Sequence, residues 1–104
     1  ADARQQCPAL FIAGLGDEGA GEAFRIMSLL QRRGFFVEMD YQGRSLKAQF
    51  RRADKLGAQR VLILGENELA QGVAPLRDMS DGNQQDIPLE DVVERLAAIL
   101  GESP

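Results

Sequence analysis

Three groups of residues in this sequence have types and spacings suited to chemistry. The first is Gly65-Glu66-Asn67-Glu68, with Arg77 on the segment that follows. A carboxylate accepts hydrogen bonds from the amino groups of bases, and an arginine forks onto a guanine edge or a phosphate. Single-stranded RNA loops are read this way, with their bases splayed out. The competing reading is a helix N-terminal turn whose acids complement the dipole. The second group is a basic stripe, Arg44, Lys47, Arg51 and Lys55, of which the last three recur at i, i+4 and i+8. Point charges on one helix face suit phosphate contacts, which position a nucleic acid without reading it. A solvated helix face is the plainer alternative. Aromatic interleaving is sparse, and Tyr41 is the only exposed-looking ring nearby.

The third group, Gly14-Leu15-Gly16-Asp17-Glu18-Gly19, matches GxGxxG between a strand and a helix, with Asp40 at the end of the next strand. That is the context of a dinucleotide fingerprint. Two features oppose it. Asp17 and Glu18 put negative charge where a pyrophosphate would sit. The strand pattern also turns antiparallel after the third strand, so the second mononucleotide half is missing. The alternative is a strand-to-helix turn built of small residues.

Other chemistries are excluded by what this sequence lacks. It has no histidine and a single cysteine, Cys7. An internal disulfide, a CxxC or Cys/His zinc site, and Ser-His or Cys-His nucleophile pairs are therefore ruled out. Cys7 reads as a small, partly buried apolar residue. Asp78 and Asp81 form a carboxylate pair, but no apolar pocket surrounds them in the pattern, so neither a catalytic nor a metal role follows. The net charge of −4 argues against a uniformly basic nucleic-acid binder. Its distribution is uneven, because Arg44 to Arg60 holds six basic residues against one acid, Asp54. Such asymmetry within one domain points to a face for an anionic partner.

The elements that must position these groups follow from period and punctuation. At 104 residues, 44% apolar and 27% charged, the chain suits one globular domain with a core. Residues 1–7, with the polar start ADARQQ, read as a linker, and 8–104 as the domain. A start without Met fits a piece of a longer protein. No signal-peptide pattern and no apolar run of ~20 residues is present. Ala9–Ala13, Phe35–Asp40 and Arg60–Leu64 read as strands. Between them lie helices over Asp17–Arg33, with Ala20, Ala23, Phe24, Met27 and Leu30 on one face, and over Leu46–Leu56, with Leu46, Phe50 and Ala53 inward. Ser45 caps the second helix, and Gly34 and Gly57 end the two. This alternation predicts a mostly parallel sheet with right-handed crossovers. Val73–Met79 and Gln84–Ile87 then form a hairpin around Ser80-Asp81-Gly82-Asn83. Pro75 predicts that its strand is an edge or carries a bulge. A last helix spans Leu89–Leu100.

Four motifs carry a family resemblance: Ser45-Leu46-Lys47-x-Gln49-Phe50, Arg52-Ala53-Asp54-Lys55-x-Gly57-Ala58, Leu64-Gly65-Glu66-x-Glu68 and Arg77-Asp78-Met79. With Gly34 and Asp40, the sequence from about Pro8 to Gly101 closely resembles the C-terminal anticodon-binding domain of bacterial histidyl-tRNA synthetase, a class II aminoacyl-tRNA synthetase. The resemblance implies an α/β, three-layer fold: a mixed five-stranded sheet, its first three strands parallel, flanked by three helices. It implies docking on the anticodon stem-loop of tRNA(His). In related synthetases the glutamate ending the Gly-x-x-Glu turn and the basic residue on the next strand contact bases; here these are Glu68 and Arg77, with the Tyr41–Arg44 loop beside them. The implied tRNA-binding set is Tyr41, Gly43, Arg44, Lys47, Arg51, Glu66, Glu68 and Arg77. Two departures are Arg77, where histidyl enzymes often carry Lys, and Pro75. Gly14–Gly19 takes the place of the family's ordinary first turn. A module of this kind has no cofactor of its own and does not aminoacylate alone. ATP and Mg belong to a catalytic domain of the same polypeptide, absent from this chain, in a cytoplasmic, homodimeric parent with no membrane contact. The other reading is a free-standing regulatory or interaction module with the same fold.

Overall fold

A computed structural model describes residues 7–101. Residues 1–6 of the expected linker, and the last three of the chain, lie outside the described residues. Cys7, the first described residue, is exposed rather than partly buried.

β1 (Leu10–Gly14) is buried along its whole length, as a continuous apolar run requires. α1 (Gly16–Arg32) follows, with Asp17 and Glu18 in its first turn and Arg32 in its last, each favourable to the helix dipole. β2 spans only Val37–Met39. α2 (Leu46–Leu56) opens where the Ser45 hydroxyl accepts the Ala48 N–H at 3.3 Å and closes at Gly57, whose φ of 75° only glycine adopts cheaply. β3 (Arg60–Leu64) leads into a short α3 (Glu66–Gln71). β4 (Val73–Asp78) and β5 (Gln84–Pro88) form the hairpin, and α4 (Val92–Gly101) closes the fold.

The sheet order is β2-β1-β3-β4-β5. β1 pairs parallel with β2 and β3, while β4 is antiparallel to both β3 and β5. Alternate side chains of the strands serve two cores, as a period of two demands. Leu10, Ile12, Leu62, Leu64, Ala74, Leu76 and Ile87 pack with Ile26 and Leu30 of α1 and Leu96 and Leu100 of α4. Phe11, Ala13 and Val61 face the other way, onto Phe50 and Ala53 of α2. Helices on both faces make the three layers expected. The α2 face of β4 and β5 is left open, and Arg77, Gln84 and Asp86 are exposed there.

Several local expectations change. There are four helices rather than three, because the Gly65–Glu68 turn continues into α3. In α1, Ile26 takes the buried position and Phe24 is 56% exposed. α4 starts three residues later than expected, after a turn in which Asp91 adopts a φ of 59°. Pro75 is on an interior strand, not an edge. Its place is explained by register: pairing between β3 and β4 stops at Leu62↔Leu76, so Pro75 pairs only with Asp86 of β5. A residue without an N–H costs least where one ladder has ended.

Candidate nucleic-acid interface

Three turns gather where the parallel strands end: Gly14–Gly16, Asp40–Ser45 and Gly65–Glu68. The Leu15 N–H donates to the Leu64 carbonyl at 2.7 Å, joining the first to the third. The Gln49 side-chain amide donates to the carbonyls of Gly14 at 3.0 Å and Arg44 at 2.8 Å, joining the first to the second. The buried Asp40 carboxylate folds the middle turn around itself, accepting the N–H groups of Gln42 at 3.3 Å and Arg44 at 3.0 Å. Gly43, with a φ of 66°, permits that tight path. The Arg44 guanidinium donates to Gln42 Oε1 at 3.1 Å and stands 3.8 Å from Asp40. Tyr41 is 67% exposed, its hydroxyl 3.6 Å from Met27 Sδ.

On the third turn, Glu68 Oε1 accepts the Gly65 N–H at 2.8 Å, one half of a capping box. Leu15, Gly16, Gly65, Glu66, Asn67 and Glu68 line a cleft of about 420 Å³. Glu66 is exposed and Glu68 half-buried. The arrangement offers carboxylates to the amino edges of a base, with the cationic Arg44 loop held in the same sector of the molecule.

Below this end runs the basic face of α2, where Lys47, Arg51, Arg52 and Lys55 are exposed. Arg44, Ala48, Arg51, Arg52 and Lys55 line one groove of about 660 Å³. Arg52 thus joins the cationic surface, which the stripe from Lys47 to Lys55 did not include. Lys47 is outside the groove lining, one helical step toward the Phe50 side.

Arg77 lies apart. It pairs with Val61, the second residue of β3, whereas Glu68 follows the end of that strand at Leu64. Three residues of strand, roughly 10 Å, separate the two levels. Glu66, Glu68, Tyr41, Gly43 and Arg44 thus lie at the strand ends, and Arg77 lies on the open sheet face beside the middle of α2. Its guanidinium carbon stands 5.5 Å from the centroid of the Phe50 ring.

The glycine fingerprint is structural. A Cβ at Gly14 would come within 2.8 Å of the Gly19 carbonyl, and one at Gly19 within 2.4 Å of the Leu64 carbonyl. Both glycines are spent on bringing α1 close to β1 and β3, and Asp40 is spent on its own loop. Asp78 and Asp81 are likewise tied to the hairpin turn, through Ser80 and Asn83 respectively. The Ser80 hydroxyl, 2.6 Å from Asp78, and the Ser80 N–H hold that carboxyl below its ordinary pKa. Among the described residues no cluster of His, Cys, Asp and Glu could hold a metal ion, and no helix is long and apolar enough to cross a membrane.

Comparison with known proteins gives this geometry a family. Residues 10–99 match the anticodon binding domain model. The histidine–tRNA ligase of Geobacter sulfurreducens is 54% identical over 91 residues, covering 86% of this chain and 22% of the ligase. That of Desulfatibacillum aliphaticivorans is 47% identical over 95 residues, covering 91% of this chain and 23% of the ligase. The chain therefore spans somewhat more than a fifth of the length of these curated relatives. Apo histidyl-tRNA synthetase of S. aureus superposes with a TM-score of 0.82 at 28% identity, over 91% of this chain and 24% of that one. The RNA binding domain of threonyl-tRNA synthetase from Cryptosporidium parvum shares the fold at a TM-score of 0.72 and 22% identity. From the first strand to the last helix, the matched sequence and the matched fold coincide, and the chain belongs to the anticodon binding domain family.

Proposed function

We propose that this chain is the tRNA-binding module of a histidine–tRNA ligase, holding the anticodon stem-loop of tRNA(His) while a catalytic domain of the same polypeptide attaches the amino acid. The observation that carries this reading is the 54% identity to the Geobacter sulfurreducens ligase across 86% of the chain. The geometry supports a division of labour. Arg51, Arg52 and Lys55 on α2 offer point charges to the phosphate backbone, which sets register without reading sequence. Glu66, Glu68 and the Tyr41–Arg44 loop present acceptors, a cation and one exposed ring to unstacked bases. Arg77 offers a forked donor to a base edge or a further phosphate. On this reading the chain binds no cofactor of its own, ATP and Mg serve the catalytic domain, and the parent enzyme works as a cytoplasmic homodimer.

The test is a fluorescence-anisotropy titration of the chain with a labelled tRNA(His) anticodon stem-loop at several salt concentrations. Binding that weakens linearly with log salt is expected. A folded chain that shows no binding at high micromolar RNA would refute the reading and favour a module that docks on protein.

A further inference from the structure

Gln49 is fully buried, and with Asp40 it is one of two buried polar side chains among the described residues. Both of its N–H groups are used, on Gly14 O and Arg44 O. Its Oε1 is buried and has no hydrogen-bond partner. An unpaired amide oxygen in an apolar interior costs stability. An apolar side chain of similar length would relieve that oxygen but leave the Gly14 and Arg44 carbonyls without this donor. What the amide supplies is a two-pronged donor between segments far apart in sequence. One prong holds the end of β1 and the other the end of the Tyr41–Arg44 loop.

The tie continues beyond β1. The Leu15 N–H reaches the Leu64 carbonyl at 2.7 Å, and the next residue, Gly65, gives its N–H to Glu68 at 2.8 Å. The Asp40 carboxylate folds the Tyr41–Arg44 loop onto the end of β2, not onto β1 or β3. The link from the Tyr41 hydroxyl to the Met27 sulfur, at 3.6 Å, is a weak one.

We infer that Gln49 is a positioning residue, which fixes the Arg44 loop against the Gly65–Glu68 turn so that Arg44 and Glu68 engage one RNA loop together. This rests on the RNA-binding reading above. The residue touches no RNA itself. It accepts one unpaired buried oxygen while fixing the spacing between two contact segments, the kind of local rule-breaking that marks functional sites.

The experiment uses Gln49→Met, which keeps the length and removes both the donor fork and the orphaned oxygen. In the free variant, amide hydrogen exchange at Gln42, Gly43 and Arg44 should quicken by about tenfold or more, while Leu62 and Leu64 stay protected. Affinity for the tRNA(His) anticodon stem-loop should fall about tenfold, and Arg44→Ala should then cost less than about twofold on top, since the two residues act as a unit. Arg77→Ala should cost the same in both backgrounds. Unchanged exchange at Gln42–Arg44, or an undiminished effect of Arg44→Ala, would overturn the inference. Were the unaltered chain not to bind RNA, the proposed function would fail while the exchange measurement still judged the tie. Were Gln49→Met not to fold, the side-chain amide protons of Gln49 in the unaltered chain decide. Slow exchange, with a shift on adding the stem-loop, supports the tie, and rapid exchange refutes it.

Discussion

The Arg77 guanidinium lies over the Phe50 ring, with its central carbon 5.5 Å from the ring centroid. The contact crosses from β4 to α2 and fixes a long, exposed side chain on the open sheet face. Cation–π attraction of this kind contributes about 0.5–1 kcal/mol at exposed sites. Arg77 is thereby pre-oriented, which lowers the ordering cost of any contact it makes. Arg77→Ala should weaken stem-loop binding by about 1–3 kcal/mol if the arginine forks onto one base, and relax the preference at that base. Arg77→Lys should keep the charge but lose the fork. Competition among stem-loops with single anticodon substitutions reads both effects.

Lys47→Ala should behave differently. Lys47 is an exposed point charge on the first turn of α2. Its loss should weaken all stem-loops alike and reduce the slope of log affinity against log salt by about 1. Matching base-preference changes from Lys47→Ala and Arg77→Ala would contradict the separation of positioning from reading.

Gly19→Ala tests the structural account of the glycine motif. The new methyl would sit 2.4 Å from the Leu64 carbonyl, a backbone atom that cannot swing aside. Helix and strand must separate, and overpacking of this kind costs about 1–3 kcal/mol. Urea unfolding should show that loss, whereas Gly21→Ala, where a Cβ meets nothing within 4 Å, should not destabilise. Addition of NAD should leave the amide signals of Gly14–Gly19 unmoved.

Asp78 gives a pH dependence with a defined sign. Hydrogen bonds from Ser80 hold its folded-state pKa below the unfolded value. A depressed carboxyl pKa adds stability that is present above the unfolded pKa and disappears as pH falls through the folded one. Ser80→Ala should therefore move the Asp78 titration upward and remove a small increment of stability that is present above about pH 4 and vanishes below it. Carbon-detected NMR of the Asp78 carboxyl measures the shift. An unmoved titration would show that the turn hydrogen bonds do not persist in solution.

What the sequence disclosed, and what it concealed, follow from the range over which each signal acts. Ser45 and Gly57 mark α2 to the residue because caps are local chemistry. The three parallel strands are legible because buried runs have no other use. α3 showed only as the alternative reading of Gly65–Glu68 as a helix N-terminal turn, since none of its six residues is fully buried and they carry no period. Gln49 stood in a family motif, but its role did not show, because a polar residue on an inward face breaks the amphipathic rule and its partners at Gly14 and Arg44 are set by tertiary structure. The basic stripe was legible as a stripe, but the groove it shares with Arg44 and Arg52 was not. Arg77 and Glu68 were grouped by the family resemblance; the antiparallel register that sets Arg77 beside Val61 of β3 was not legible in the sequence.

The central claim is that the anticodon loop meets the strand-end turns and the basic face of α2. Amide NMR of the labelled chain during titration with the tRNA(His) anticodon stem-loop tests it directly. Shifts should concentrate at Tyr41–Arg44, Lys47, Arg51, Glu66–Glu68 and Arg77. The groove between α1 and α4, lined by Arg25, Leu29, Arg33 and Val93, should stay silent. Shifts confined to that α1–α4 groove, with the strand-end turns unmoved, would contradict the account.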